Sequence, residues 1–179
     1  MVSLHADAVR TLFEWRPDDE RQEALRHAFL AFLAARPDGC MRSCEPGHLT
    51  ASAVVFDASG DHVLLTLHPR VGRWLQLGGH CEPEDTSLLG AALREAVEES
   101  GIADLWIEPS PLHLDVHPIT CSLGVPTRHL DVRFLVRAPV GARAVRSAES
   151  VDLQWWPVGA LPSNVDTIPE LVRLARARG

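Results

Sequence analysis

Hydrophobic positions along the chain fall into helical, alternating and continuous stretches, and each predicts an element. Leu4 to Trp15 has helical spacing and ends before Pro17. Asp18 and Asp19 then lead into a second helical segment, Glu20 to Ala35, with Leu25, Phe29, Phe32 and Leu33 on one face. Arg36-Pro37-Asp38-Gly39 closes it. Leu49 to Phe56 is apolar and β-branched, which predicts a strand. Asp57 to Asp61 reads as a hairpin loop, and His62 to His68 alternates around Val63, Leu65 and Leu67. Trp74 to Leu77 is a short strand that runs into Gly78-Gly79 and a turn-rich loop.

Further along, Leu112 to Ile119 and His129 to Val136 alternate cleanly and predict an antiparallel pair joined by Thr120 to Thr127. Period-two geometry sends His113, Asp115 and His117 to one face, and His129, Asp131 and Arg133 to one face as well. Leu112, Leu114, Val116, Leu130, Val132 and Phe134 then point to the core. A solvated sheet face usually carries Thr, Lys, Glu and Ser, so this polar face is expected in a substrate pocket. His113-x-Asp115-x-His117 also supplies ligands for an alternative second metal site. Leu153 to Val158 is a final strand, with one of Trp155 and Trp156 expected in the core. Thr167 or Asp166 caps a last helix, with Pro169 in its first turn.

The segment Ser87 to Ser100 is helical, capped by Asp85, Thr86 or Ser87 and stopped at Gly101. Leu89, Leu93 and Ala96 form its expected core stripe. Each helical residue turns about 100°, so Glu95, Glu98 and Glu99 share one face. Like charges this close cost roughly 0.2–0.5 kcal/mol per pair. A hard divalent cation offsets that cost, because magnesium and manganese prefer oxygen ligands.

Gly79, Arg94-Glu95, Glu98-Glu99, Gly101 and Ile102 together resemble the Nudix box, G-x5-E-x7-R-E-U-x-E-E-x-G-U with U aliphatic. Asp85 stands where that pattern has its first Glu, and the stretch from Asp85 to Arg94 is one residue longer than in the pattern. The resemblance covers roughly Leu49 to Pro162. It implies an α/β/α sandwich around a mixed sheet and hydrolysis of a nucleoside diphosphate linked to another moiety. It implies Mg²⁺ or Mn²⁺ on Glu95, Glu98, Glu99 and the Gly79 carbonyl, with Arg94 orienting a box carboxylate. As general base the resemblance implies Glu98 or an acid shortly before the last tryptophans, where Glu149 is preferred over Asp152. Arg70, Arg73 and His80 are placed to meet phosphates, and His113, His117, His129, Asp131 and Arg133 to line the substrate pocket. Rival readings are an isopentenyl-diphosphate-isomerase-like enzyme using Cys81, a non-catalytic nucleotide-sensing module, and an RNA-processing hydrolase. Residues 1–44 are expected to form a helical extension outside the resemblance, and the resemblance implies a Nudix domain over 45–179 with its C-terminal helix. A homodimer is plausible within the resemblance.

Charge and composition narrow this further. Lys and Arg number 17 against 24 Asp and Glu, a net charge of −7, which makes nucleic acid an unlikely partner. No apolar run reaches the ~20 residues of a membrane span. The first residues lack a basic-then-apolar leader, so a cytoplasmic protein is expected. Cys40-x3-Cys44 with His48 invites structural zinc, but free thiols are the expectation for Cys40, Cys44, Cys81 and Cys121.

Overall fold

The computed structural model describes residues 3–120, 124–148 and 150–178. Its elements are α1 (Leu4–Glu14), α2 (Glu20–Ala35), β1 (His48–Phe56), β2 (His62–Leu67), β3 (Trp74–Leu75), β4 (Leu77–His80), α3 (Leu88–Ser100), β5 (Trp106–Thr120), β6 (Pro126–Arg137), β7 (Asp152–Pro157) and α4 (Ile168–Arg176). The sheet runs β3-β2-β1-β6-β5, with β4 paired to β1 and β7 to β2. β1 and β6 are parallel and the other pairings antiparallel, so the sheet is mixed.

Alternation along β1 sets the layers. Leu49 and Ala51 pack with α1, α2 and the start of α3, while Ala53 and Val55 pack with Ala96 of α3. Val54 and Phe56 face the other way, onto Ile168, Leu171, Val172 and Ala175 of α4. Helices on both faces of one mixed sheet make the α/β/α sandwich.

α1 and α2 cover this sandwich and hold it at two polar points. The backbone N–H of Leu88, at the start of α3, donates to Asp7 Oδ2 at 2.9 Å. Asp7 is 5% exposed and also pairs with Arg10. A first-turn N–H has no partner within its own helix, so this carboxylate completes the N-terminus alongside Ser87, whose hydroxyl accepts from Gly90. Asp7→Ala is expected to cost about 0.5–2 kcal/mol in urea unfolding, and Asp7→Asn, which keeps an acceptor, distinctly less. At the second point, Gln22 of α2 lies along β5. Its Oε1 accepts from Leu114 N–H at 2.7 Å and its Nε2 donates to Leu114 O at 3.0 Å.

Several sequence expectations shift. Gly78, Gly79 and His80 are strand, not loop, because they pair with Ser52, Ala51 and Thr50 of β1. The pairing demands glycine: a Cβ on Gly78 would lie 2.6 Å from Ser52 Cα, and φ there is +145°. The buried face of α3 is Leu88, Ala91, Ala92 and Ala96, leaving Leu89 and Leu93 half-buried beside it. Irregular register between Ile107 and His113 turns Leu112 onto the α4 side while Leu114 faces α1 and α2. Val116 is 46% exposed rather than core. Both Trp155 and Trp156 are half-buried, and Trp156 meets Trp74 edge-on with ring centroids 5.3 Å apart. Thr167 sits at the N-cap of α4, but its hydroxyl makes no capping bond and accepts from Arg133 instead.

Candidate active site

The α4 side of the sheet is polar where β1 and β6 run together. His48, Thr50 and Ser52 alternate with apolar residues on β1, and in parallel register Thr50 faces Asp131 and Ser52 faces Arg133. Thr50 Oγ1 and Ser52 Oγ donate to Asp131 Oδ1 at 2.9 and 2.7 Å. Asp131 Oδ2 accepts from Arg133 Nε at 2.8 Å and from Gln76 Nε2 at 3.3 Å. Arg133 extends the chain of bonds, with Nη2 on Asp115 Oδ2 at 2.9 Å and Nη1 on Thr167 Oγ1 at 2.8 Å. Asp115 Oδ2 also meets His117 Nδ1 at 2.8 Å. That hydrogen bond lowers the Asp115 carboxyl and raises the His117 imidazole from their ordinary values. These groups line a cleft of about 760 Å³.

The helix α3 supplies the opposite wall. Its Ala-rich face packs on β1, and its other side brings Glu95, Glu98 and Glu99 to the cleft. Glu95 lies directly against Gly79: a Cβ there would stand 2.7–2.8 Å from its carboxylate atoms. Glu99 Oε2 accepts from Gly78 N–H at 2.9 Å. Gly79→Ala is expected to displace the Glu95 carboxylate and, if Glu95 holds the metal as the sequence resemblance implies, to cut kcat at least about 10-fold. A steady-state assay beside a melting curve separates that from unfolding.

Arg94 ties the wall together. It grips Asp85 through Nε (3.2 Å) and Nη2 (2.9 Å), reaches Glu95 Oε1 at 3.0 Å and Glu98 Oε2 at 3.2 Å, and donates to the His80 carbonyl at 3.0 Å. The Asp85 bonds, then Glu95, push its guanidinium further up from an already high value. Asp85, which also accepts from Glu82 N–H at 2.8 Å, is thus the anchor that fixes the lengthened box loop. The box carboxylates do not converge on a single point. Arg94 bridges Glu95 and Glu98, and Glu99 turns to Gly78.

Four histidines gather at one end of the cleft. His129 has ring centroids 5.0 Å from both His48 and His80 and 5.4 Å from His117. Burial drives His129 down to about 3 and His80 to about 4, with the neighbouring histidines and, for His80, Arg42 adding to it. Burial lowers His48 as well. The unfolded imidazoles titrate near 6.5, so between 6.5 and 4 the unfolded chain binds more protons than the folded one. The stability of metal-free protein is therefore present above that window and is lost as pH falls through it. Urea midpoints recorded from about pH 7 to about pH 4 are expected to show the loss, and His129→Asn to reduce it.

Other predicted residues fall elsewhere. His113 does not line the cleft; its Nε2 lies 2.9 Å from Gln22 Nε2, beside α2, and burial lowers its pKa. Arg73 reaches the cleft mouth and pairs with Asp166 at 3.3 Å, whereas Arg70 is an exposed loop residue outside the lining. Glu149 and Cys121 lie outside the described residues. Cys40, Cys44 and Cys81 are free and buried. Among the described residues neither Cys40–Cys44–His48 nor His113–Asp115–His117 forms a ligand cluster. Thr50, Ser52 and Gln76, absent from the sequence expectations, also line the cleft, and His48 lies behind it against His80 and His129. Polar side chains at every second position of an otherwise apolar strand were the available signal.

Comparison with known proteins agrees with this geometry. The NUDIX domain model matches residues 46–174. A hydrolase of the NUDIX family from Clostridium perfringens is 21% identical, with TM-score 0.60 over 74% of this chain and 98% of that one. The dihydroneopterin triphosphate pyrophosphohydrolase of E. coli is 19% identical, with TM-score 0.58 over 73% and 96%. The NUDIX domain of Shewanella oneidensis NrtR, in complex with ADP ribose, is 25% identical, with TM-score 0.51 over 73% and 86%. The comparison with curated proteins found no match. With the domain model matching most of this chain and the Arg94-Glu95 and Glu98-Glu99 pairs facing the cleft, this chain belongs to the Nudix family.

Proposed function

We propose that this Nudix enzyme hydrolyses the pyrophosphate of a nucleoside diphosphate joined to a second moiety, with magnesium or manganese on Gly79, Glu95, Glu98 and Glu99. The observation that carries the reading is the Glu95 carboxylate seated against a Cβ-less Gly79, with Glu98 and Glu99 on the same cleft wall. Carboxylates and a glycine carbonyl are oxygen donors, the chemistry a hard divalent cation takes. Such an ion, when bound, neutralises diphosphate charge and makes a bound water more acidic.

The chain's own residues do the rest. Arg94 holds Glu95 and Glu98 in place from Asp85. Glu98, or Glu149, takes the proton as water attacks one phosphorus and the bridging oxygen leaves on the other. Asp131, Asp115 and Thr167 fix the Arg133 guanidinium in the cleft floor, and His117 stands beside Asp115 at its edge. His80 and His129 line the same cleft, and burial keeps their imidazoles neutral. The ADP ribose held by the Shewanella domain supports a nucleotide-type occupant.

The isomerase alternative loses its nucleophile, because Cys81 is 4% exposed, packed in the core, and its thiol is pushed well up by burial. No helix among the described residues is long and apolar enough to cross a membrane. Buried free thiols suit the reducing cytoplasm proposed for this chain. Turnover of nucleotide sugars, dinucleoside polyphosphates, ADP-ribose and oxidised nucleoside triphosphates, each with magnesium or manganese, tests the reading. Turnover of at least one that stops with chelator supports it; no turnover of any overturns it.

A further inference from the structure

His48, His80 and His129 come from three strands that meet at one end of the sheet. His48 pairs with His129 across β1 and β6, and Thr50, two residues on, pairs with His80 across β1 and β4. The His48–His80 centroid distance is 5.1 Å. One ring nitrogen from each histidine lies within 4.8 Å of those of the other two, and among the described residues this is the one such group of His, Cys, Asp or Glu.

The ring of His48 is set like that of a metal ligand. Its Nδ1 lies 3.3 Å from the Cys44 carbonyl, which leaves Nε2 to bind. That nitrogen is buried in a residue 1% exposed and has no hydrogen-bond partner among the described residues. The Nε2 of His129, in a half-buried residue, is likewise buried and without a hydrogen-bond partner among the described residues. Leaving such a nitrogen unpaired costs about 1–3 kcal/mol, and two of them beside a third imidazole are better explained as a ligand set than as packing. His80 and His129 line the cleft, whereas His48 closes the group from behind.

We propose that His48, His80 and His129 bind a zinc-class divalent ion whose fourth position opens onto the cleft. Imidazole donors favour zinc, copper or nickel over magnesium, so this site is chemically distinct from the box carboxylates. A tetrahedral zinc with Zn–N near 2.0–2.1 Å holds its nitrogens about 3.3 Å apart, so ring adjustments of roughly 1.5 Å or less complete the geometry. Arg42 is the charged neighbour of His48 and His80, and it lines the same cleft. Its positive charge favours an anionic fourth ligand on the ion. The site stands on the histidine geometry and not on the hydrolase reading.

Chelator-treated full-length protein titrated with Co²⁺ and with Zn²⁺, without nucleotide, tests this. The expected result is one tight site with the intense visible bands of tetrahedral cobalt and no thiolate charge-transfer band. Zinc should displace the cobalt. His48→Ala and His129→Gln should each weaken binding by about 100-fold or more, since a lost ligand costs at least as much as a lost outer-shell partner. His80→Gln serves if His48→Ala fails to fold by circular dichroism. Glu98→Gln with Glu99→Gln should abolish turnover yet keep the cobalt spectrum, so the two readings fail separately. Octahedral cobalt bands only, thiolate bands, binding unchanged in the histidine variants, or binding lost with the glutamates would each overturn the proposal.

Discussion

Glu98→Gln is expected to lower kcat by about 100- to 1,000-fold while shifting Tm by no more than about 4 °C. The side chain is 57% exposed and its recorded partner is Arg94 Nη1 at 3.2 Å. An exposed i,i+4 pair contributes about 0–1 kcal/mol, so the fold does not depend on it. On the proposed mechanism the chemistry does, because the amide keeps the shape but removes both the charge proposed to bind a cation and the basic oxygen proposed to accept a proton. Glu95→Gln is the informative contrast. Its side chain is 13% exposed, packed on Gly79 and paired with Arg94 at 3.0 Å, so rate and stability should fall together. Paired kinetics and melting curves distinguish the two variants. An unchanged kcat in Glu98→Gln would remove that residue from the reaction.

Arg133→Ala should be the most destabilising single change in the cleft, costing about 3–5 kcal/mol and lowering Tm by roughly 6–20 °C. The guanidinium is 4% exposed and lies between Asp131, itself 2% exposed, and Asp115. Removing it strands a buried carboxylate whose desolvation then goes uncompensated. The double variant Arg133→Met, Asp131→Asn should recover much of the loss, because it removes both charges and keeps volume. Urea unfolding of Arg133→Met, Asp131→Asn and the double variant measures the coupling. Full additivity would show that the pair is not a unit.

The helices and strands were legible because their signals are local. Asp19 before an apolar period located α2, and Gly101, with φ of +64°, ended α3 where the sequence placed it. Alternation also gave the antiparallel β5–β6 pair and put Asp115, His117, His129, Asp131 and Arg133 on one surface. What sequence did not give came from contacts between distant segments. The turned Leu112 depends on an irregular register in β5, and alternation assumes a regular one. Asp7 reaches Leu88 across 81 residues, and His48 meets His80 only because β4 continues through glycines that look like loop. Arg94 was expected to orient one carboxylate; its hold on Asp85, Glu95 and Glu98 together needed the folded loop.

The amide of Gln22 has a bearing on assembly. β5 is the last strand in the sheet order, and a terminal strand is where another polypeptide most readily docks by main-chain bonding. Here a glutamine side chain already occupies the donor and acceptor of Leu114, mimicking one residue of a neighbouring strand. A second copy that extended the sheet along this stretch would first have to evict Gln22 and the helix bearing it. Main-chain extension of the sheet is thus blocked at Leu114 while α2 stays in place.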